Sequence, residues 1–193
     1  MGDFMKVKIG VSARHVHLTK DDFKKLFGYD ELTWLKDLTQ PNEFASKETV
    51  SIITEKGRIN NVRILGPFRD YTQVEISKTD AYSLKINPPI RKSGDLVSSE
   101  IVTMEHDGNT ITKECCIIAT RHIHINTKDL KRYNLENGEV VKLRLDGIKG
   151  GILNNVFIKA SDNYTLEAHI DLDDANAHFI NDKDEGEIIN EWI

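Results

Sequence analysis

Two copies of one tetrapeptide hold four of the seven histidines in this 193-residue chain. They are Arg14-His15-Val16-His17 and Arg121-His122-Ile123-His124. Histidines two residues apart on a strand point to the same face, so both imidazoles can bind one metal ion. A single copy would fit two solvent-facing histidines equally well. The duplication instead predicts two metal sites and indicates a two-metal enzyme.

Each histidine pair needs a third ligand if the metal is to keep an open position for substrate, as catalytic zinc does. His169 is one candidate, because it ends a strand-like segment and an acidic cluster at 171–174 follows it. Such a cluster could support a ligand. Glu75 is the other candidate. It alternates with Val74 and Ile76, and from this spacing alone an exposed strand carboxylate is the better interpretation.

Several basic residues could bind an anionic ligand. Arg69 follows a Gly66-Pro67 turn, and arginine binds phosphate through forked hydrogen bonds, although a lone surface arginine is commoner. Arg63, Lys36 and Lys56 could hold the phosphates of a larger ligand or simply be solvated.

The two cysteines, Cys115 and Cys116, are adjacent and lie in an apolar run. Neighbouring cysteines rarely satisfy disulfide geometry with each other, which fits a reducing compartment. We interpret them as buried structural thiols rather than as nucleophiles.

The overall composition limits the function classes. A net charge of -5 argues against broad nucleic-acid binding. The longest apolar runs fall far short of the roughly 20 residues that span a bilayer. The first residues, 1–6, lack the pattern of a secretory signal. We therefore expect a cytoplasmic protein.

Alternating apolar and polar residues predict mainly short strands, at 6–11, 49–54, 61–65, 73–77, 140–145 and 156–160. A helix is predicted from Thr19 to Phe27, with Thr19 as its N-cap and Gly28 at its end. Asn126 is the corresponding N-cap after the second histidine pair. Residues 88–95 are predicted to form a loop. The pattern favours barrels or sandwiches, with a boundary near residue 120.

Motifs along most of the chain resemble the PduL-type phosphate propanoyltransferases, in the same order, from about residue 6 to residue 180. They are Gly10-Val11-Ser12-Ala13-Arg14-His15-Val16-His17-Leu18, Gln40-Pro41, Leu65-Gly66-Pro67-Phe68-Arg69, Thr72-Gln73-Val74-Glu75-Ile76-Ser77, Pro88-Pro89-Ile90-Arg91, Arg121-His122-Ile123-His124, His169-Ile170-Asp171 and Asp174-Ala175-Asn176-Ala177.

This resemblance implies a mainly β fold of two small β-barrel domains flanked by short α-helices, with the N-terminal strand joining the C-terminal barrel. The implied domains are 14–120 for the first barrel, and 1–13 together with 121–193 for the second. The implied enzyme is a phosphate acyltransferase, a phosphotransacylase, that interconverts propanoyl-CoA or acetyl-CoA plus phosphate with acyl phosphate plus CoA. Its setting would be propanediol or acetate metabolism. Family members in microcompartments carry an N-terminal encapsulation extension, and the few residues ahead of the first predicted strand are expected to be too short for one. Association with a microcompartment through a partner stays open.

The resemblance also implies roles for particular residues. Arg69 would bind phosphate and take part in catalysis. One zinc ion would be held by His15, His17 and Glu75, which reverses the interpretation from spacing, and the other by His122, His124 and His169. The implied coenzyme A contacts are Ser12, Ala13, Arg14, Lys56, Arg63, Leu65 and Asn176, with Lys36 a less certain addition. Ala13 stands where the family commonly has Asn, and Asp174 where it commonly has Glu.

Two other functions use the same ligands. A di-zinc hydrolase would activate water instead of phosphate, and a non-catalytic metal-binding barrel would bind zinc without turnover. Both leave Arg69 and the coenzyme A matches unexplained. The expected partners are acyl-CoA, CoA, inorganic phosphate and acyl phosphate, with neither nucleic acid nor membrane, and a homodimer is the preferred oligomer.

Overall fold

A computed structural model describes residues 5–189 of the chain. This part is mainly β, with two closed six-stranded barrels and four short helices, which confirms the predicted fold class. None of the helices in residues 5–189 has the length and apolar character needed to cross a membrane. Residues 1–4, which carry most of the expectation about a leader, lie outside the described residues.

The strands are numbered in chain order: β1 Met5–Ser12, β2 His15–His17, β3 Trp34–Asp37, β4 Phe44–Ile53, β5 Arg58–Gly66, β6 Gln73–Glu75, β7 Ile90–Arg91, β8 Glu100–His106, β9 Asn109–Ala119, β10 His122–Ile125, β11 Val140–Leu145, β12 Gly151–Ala160, β13 Glu167–Asp171 and β14 Glu185–Ile189. The helices are α1 Lys20–Phe27, α2 Lys78–Leu84, α3 Thr127–Arg132 and α4 Leu172–His178.

The chain divides into two compact units. One comprises the residues up to 12, residues 39–41 and those from 120 onward, and the other comprises 13–38 and 42–119. The short segment 39–41 clusters with the first of these units, whereas the predicted boundaries assign it to the other one. Each unit contains one barrel with its own apolar core.

The barrel of the C-terminal half has the ring order β1-β13-β10-β12-β11-β14. Strand β1 runs parallel to β13 and antiparallel to β14, so the N-terminal strand completes this barrel as predicted. Alternate residues of each strand point inward. Ile9, Ile123, Leu143 and Val156 fill its centre.

The other barrel has the ring order β4-β5-β2-β6-β9-β8 and is closed by pairing between β8 and β4. Strands β3 and β7 pair outside the ring with β4 and β9. Its core contains Val16, Ile64, Val74 and Met104. Phe23 of α1 joins this core and is fully buried.

The two rings have the same arrangement. Strand β2 corresponds to β10, β5 to β12, β6 to β13 and β9 to β1, and each parallel or antiparallel relation in one ring recurs in the other. The chain is therefore a structural repeat, β1 to β8 followed by β9 to β14. The first strand of each repeat completes the barrel formed by the other repeat, which explains why β1 lies in the C-terminal barrel.

Local predictions are mostly confirmed. Thr19 caps α1 by accepting a hydrogen bond from the Asp22 amide, and Gly28 ends it with a φ of 79°. Asn126 caps α3 in the same way. The loop prediction for 88–95 is wrong at Ile90–Arg91, which form the short strand β7 at the edge of the sheet. This pairing is possible because Pro88 and Pro89 lie before the strand, so their missing N–H groups are not needed for it. Pro89 takes part only through its carbonyl oxygen, which accepts a hydrogen bond from the Ile118 amide.

Candidate metal centres

The first candidate centre lies on β2 and β6, which are antiparallel neighbours. His15 and His17 come from β2 and Glu75 from β6, directly opposite His15. One ligand atom from each residue lies within 4.8 Å of the others. All three side chains are largely buried, Glu75 at 9% exposure, and the Glu75 carboxylate lies against the side chains of Gln73 and His15. The exposed position that spacing favours for Glu75 is therefore wrong.

The second candidate centre lies on the corresponding strands β10 and β13. His122 and His124 come from β10, and His169 lies opposite His122 on β13. Their ligand atoms also lie within 4.8 Å of one another. His169 is in the middle of its strand, not at the end as predicted. Imidazole and carboxylate donors, as in these two triads, are those that zinc and similar divalent metals prefer.

A backbone carbonyl orients the first histidine of each pair. His15 Nδ1 lies 2.8 Å from the Ala13 carbonyl oxygen, and His122 Nδ1 lies 2.9 Å from that of Thr120. A carbonyl can only accept, so Nδ1 must carry the proton and donate it. This leaves Nε2 unprotonated, the tautomer that a metal ligand needs.

The third ligand of each triad is held by the residue two positions before it. The Gln73 side-chain amide donates to Glu75 Oε1 at 2.5 Å, and His169 Nε2 donates to Glu167 Oε2 at 2.7 Å. Burial raises the pKa of Glu167, but its hydrogen bonds, with His169 first, outweigh burial and lower it, so the group stays a carboxylate. Support for His169 thus comes from Glu167 and not from the predicted acidic cluster at 171–174.

Gln73 and Glu167 are functional candidates that sequence reasoning missed. Residues two apart on a strand share a face, so their positions relative to Glu75 and His169 carried the signal.

The arginine ahead of each histidine pair forms an ion pair with the first turn of a helix. Arg14 Nη1 lies 2.7 Å from Asp80 Oδ1, near the start of α2. Arg121 binds Asp174, near the start of α4, through two bonds of 2.7 and 2.6 Å. Both helices directly follow the strand that carries the third ligand. Each arginine therefore ties together the two segments that supply one triad.

Arg69 lies in the same barrel as the first triad, with its side chain 23% exposed. Its guanidinium donates to Tyr71 Oη at 3.1 Å, to Ser93 Oγ at 3.1 Å and to Glu43 at 3.3 Å. Ser93 Oγ also accepts from the Gln73 amide at 3.0 Å. A chain of hydrogen bonds therefore connects Arg69 through Ser93 and Gln73 to Glu75.

Two of the residues expected around coenzyme A, Arg63 and Lys56, lie apart on the β4–β5 hairpin. Arg63 lies beside the first triad, opposite His15 on β5, and its guanidinium binds the carbonyls of Ser46 and Lys47 at 3.1 and 2.7 Å. Lys56 lies in the turn at the other end of the β4–β5 hairpin, roughly 17 Å of strand length away at about 3.3 Å per residue.

The other expected coenzyme A positions are mostly accessible. Ala13 and Arg14 precede β2, and both are exposed, while Leu65 is half-buried on β5. In the other unit, Ser12 ends β1 and Asn176 is exposed on α4. Lys36 is exposed on β3, which pairs with β4. Such positions leave these side chains able to contact a ligand.

Cys115 and Cys116 are reduced and buried on β9. Burial raises the pKa of Cys115 to about 12, and it also raises the pKa of Cys116. Both are therefore protonated thiols at neutral pH, in keeping with their interpretation as structural residues.

The chain is similar to proteins of one enzyme family along most of its length. A model of the phosphate propanoyltransferase family matches residues 8–181. The phosphate propanoyltransferase of Thermotoga maritima is 45% identical over 179 residues, covering 91% of this chain and 85% of that protein. That of Priestia megaterium is 46% identical over 182 residues, covering 93% and 84%.

These matches define the class of the protein as an acyltransferase. The chain belongs to the phosphate propanoyltransferase family, which confirms the resemblance seen in its motifs. A further relative of this name, from Alkaliphilus metalliredigens, is 43% identical over 175 residues, covering 90% of this chain and 82% of that protein.

Proposed function

We propose that this protein transfers a short acyl group, propanoyl or acetyl, between coenzyme A and inorganic phosphate, with two zinc ions as cofactors. The observation that carries the proposal is the hydrogen-bonded connection between Arg69 and Glu75 in a member of this family. It joins a side chain suited to binding phosphate to one suited to binding metal.

His15, His17 and Glu75 would hold one zinc ion, and His122, His124 and His169 the other. The residues fit zinc because the first triad is buried and the second is partly buried, with His124 at 4% exposure. Carbonyls also hold His15 and His122 in the tautomer that presents Nε2. Three protein ligands per ion are the number found in catalytic zinc sites. Bound zinc would supply Lewis-acid polarisation of the thioester carbonyl and stabilise the departing thiolate.

Arg69 would bind the attacking phosphate. Its present contact with Glu43, at 3.3 Å, is longer than the 2.7–2.9 Å of a strong charge-assisted hydrogen bond. A phosphate with more charge can therefore displace Glu43, while Tyr71 and Ser93 keep the guanidinium oriented. Holding the nucleophile in this way can contribute roughly 7 to 11 kcal/mol in well-oriented reactions.

Coenzyme A would be bound by Ser12, Ala13, Arg14, Lys56, Arg63, Leu65 and Asn176, with Lys36 as an additional contact. The separation of Arg63 from Lys56 along the hairpin suits an extended ligand that carries phosphates away from its reactive thiol. The basic side chains of this set complement the negative charge of those phosphates.

The transfer would be direct, without an acyl-enzyme. A phosphate oxygen forms the new bond to the acyl carbon, the carbon–sulfur bond breaks, and coenzyme A leaves as a thiolate that then takes up a proton. Cys115 and Cys116 are buried thiols with raised pKa values, which makes them poor nucleophiles.

The test measures release of coenzyme A from propanoyl-CoA and acetyl-CoA, with and without phosphate, before and after removal of zinc by a chelator. We expect release that requires phosphate, yields acyl phosphate and returns when zinc is restored. Release that does not depend on phosphate would identify a hydrolase, and bound zinc without turnover a non-catalytic barrel. The domain boundaries, the homodimer and the cytoplasmic location stay predictions.

A further inference from the structure

We infer that Gln73 and Glu167 are positioning residues, each holding the third metal ligand of its own barrel, and that their identities are matched to those ligands. The inference rests on the proposed zinc sites. Gln73 accompanies a glutamate ligand, Glu75, whereas Glu167 accompanies a histidine ligand, His169.

The two residues occupy equivalent places in the repeat. Gln73 lies opposite His17 across the β2–β6 pair, and Glu167 lies opposite His124 across the β10–β13 pair. Each contacts a third ligand two residues farther along the same strand. Both side chains are buried, Gln73 at 0% exposure and Glu167 at 4%. Because the two residues have equivalent burial and register, we interpret both as serving one role, which is to hold the third ligand.

The chemistry of each pair is complementary. The neutral Gln73 amide donates to Oε1 of the Glu75 carboxylate without adding charge, while Oε2 faces His15 Nε2 at 3.5 Å. A neutral imidazole ligand instead needs an acceptor for its ring N–H, which Glu167 provides. A carboxylate acceptor also makes the imidazole a stronger donor to metal. Each triad together with its positioning residue therefore contains one carboxylate.

Further contacts fix the direction of each positioning residue. The Gly94 amide donates to Gln73 Oε1 at 2.8 Å, so the oxygen of this side chain faces Gly94 and its nitrogen must face Glu75. In the other barrel, the Gln40 side chain donates to Glu167 at 3.3 Å. Gln40 is itself held by the backbone of Thr165, at 3.0 and 3.2 Å. Neither residue can turn away without breaking these bonds.

The decisive experiment converts the first triad to the chemistry of the second. Glu75→His, Gln73→Glu and the double variant are purified, and the zinc affinity of each is measured by competition with a chelator. A changed support residue typically lowers metal affinity roughly 10- to 100-fold, and we expect each single variant to lose at least that much. The double variant should recover most of the loss, because the histidine then has its carboxylate acceptor.

A milder variant tests the second triad if the exchanged proteins fold poorly. Glu167→Gln preserves shape, and we expect roughly 10-fold or greater loss of affinity at one of two zinc sites. Glu187→Gln is the matched control. Glu187 is a buried glutamate of the same barrel and forms an ion pair with Arg144 of β11. It lies on β14, which neighbours β1 and β11 and not β10 or β13. Glu187→Gln should leave both zinc affinities unchanged.

Cobalt substitution adds a readout that a purely structural role would not move, because the visible spectrum of cobalt reports its ligands. No recovery in the double variant, or equal zinc loss in Glu167→Gln and Glu187→Gln, would overturn the matching. Normal zinc affinity and recovery without acyl transfer to phosphate would overturn only the proposed function. Absence of zinc binding in the unaltered protein would overturn both.

Discussion

The two triads share a scaffold and differ in what is attached to it. Both place a histidine pair on one strand, a third ligand on the antiparallel neighbour and a carbonyl against the first imidazole. In both, the arginine ahead of the pair forms an ion pair with the helix that follows the third ligand. The first triad is hydrogen-bonded onward to Arg69, whereas the second is supported through Gln40. The difference teaches that ligand geometry belongs to the repeated fold, while the residues proposed to bind phosphate belong to one copy.

The triads also differ in charge. A dication bound by two imidazoles and a carboxylate keeps one net positive charge, and one bound by three imidazoles keeps two. The second triad has no carboxylate among its ligands, but the carboxylate of Glu167 is hydrogen-bonded to its ligand His169. We therefore expect the two metal sites to differ in affinity and electrophilicity while remaining alike in geometry.

The largest effects are expected from removing one histidine of either triad. His15→Ala and His122→Ala should each lower the zinc content from two ions to one, because each triad lies within its own barrel. Turnover should fall by more than the roughly 10- to 100-fold typical of changes outside the ligands. Elemental analysis and coenzyme A release measure both quantities. Two zinc ions and normal turnover in either variant would refute that ligand assignment.

Arg69→Ala should act on phosphate and leave metal in place, since the guanidinium donates to Tyr71, Ser93 and Glu43, none of which is a proposed metal ligand. Hydrogen bonds to charged groups contribute about 1.5–3 kcal/mol, so the KM for phosphate should rise roughly 10- to 100-fold. Steady-state kinetics with varied phosphate measure this. Arg58→Ala is the control, because Arg58 is paired with Glu105 in the same barrel. An equal rise in the KM for phosphate in both variants would contradict the proposed role of Arg69 in binding phosphate.

The barrels also differ at the residue opposite the third ligand. Gly10 lies opposite His169, and Ile117 opposite Glu75. A Cβ at Gly10 would lie 3.0 Å from Glu167 Cδ and 3.1 Å from His169 Cδ2, tighter than ordinary contacts. Gly10→Ala should therefore displace this pair and lower zinc affinity at one site, by roughly 10-fold if it acts as loss of a support contact does.

Lys8→Ala is the control for Gly10→Ala, because it lies on the same strand with an exposed side chain. Chelator competition on both proteins makes the comparison. Unchanged affinity in Gly10→Ala would mean that the second triad does not need the space that the glycine provides.

Features of the fold and of the metal centres could be predicted from the sequence where residues close together in the chain determine them. Period-two spacing predicted the histidine pairs, and cap residues predicted α1 and α3, because both are local. Spacing failed at Glu75, since alternation gives the face of a strand on which a side chain lies but not whether other side chains bury that face. The exchange of β1 and β9 between the repeats is likewise a non-local pairing, and only the family resemblance indicated where β1 lies.

The smallest effect is expected from the cysteines, and the comparison explains why. Cys116 lies opposite Val74 on β9, and the equivalent position of the other barrel, opposite Ala168, is Ile9. In the C-terminal barrel, the aliphatic side chain of Ile9 thus packs at the position that Cys116 occupies in the other barrel. Cys115→Ala/Cys116→Ala should keep turnover within about 2-fold and lose stability only by the volume removed, of order 1 kcal/mol per site. Kinetics and urea unfolding check both, and loss of turnover in a folded, zinc-loaded variant would contradict direct transfer to phosphate.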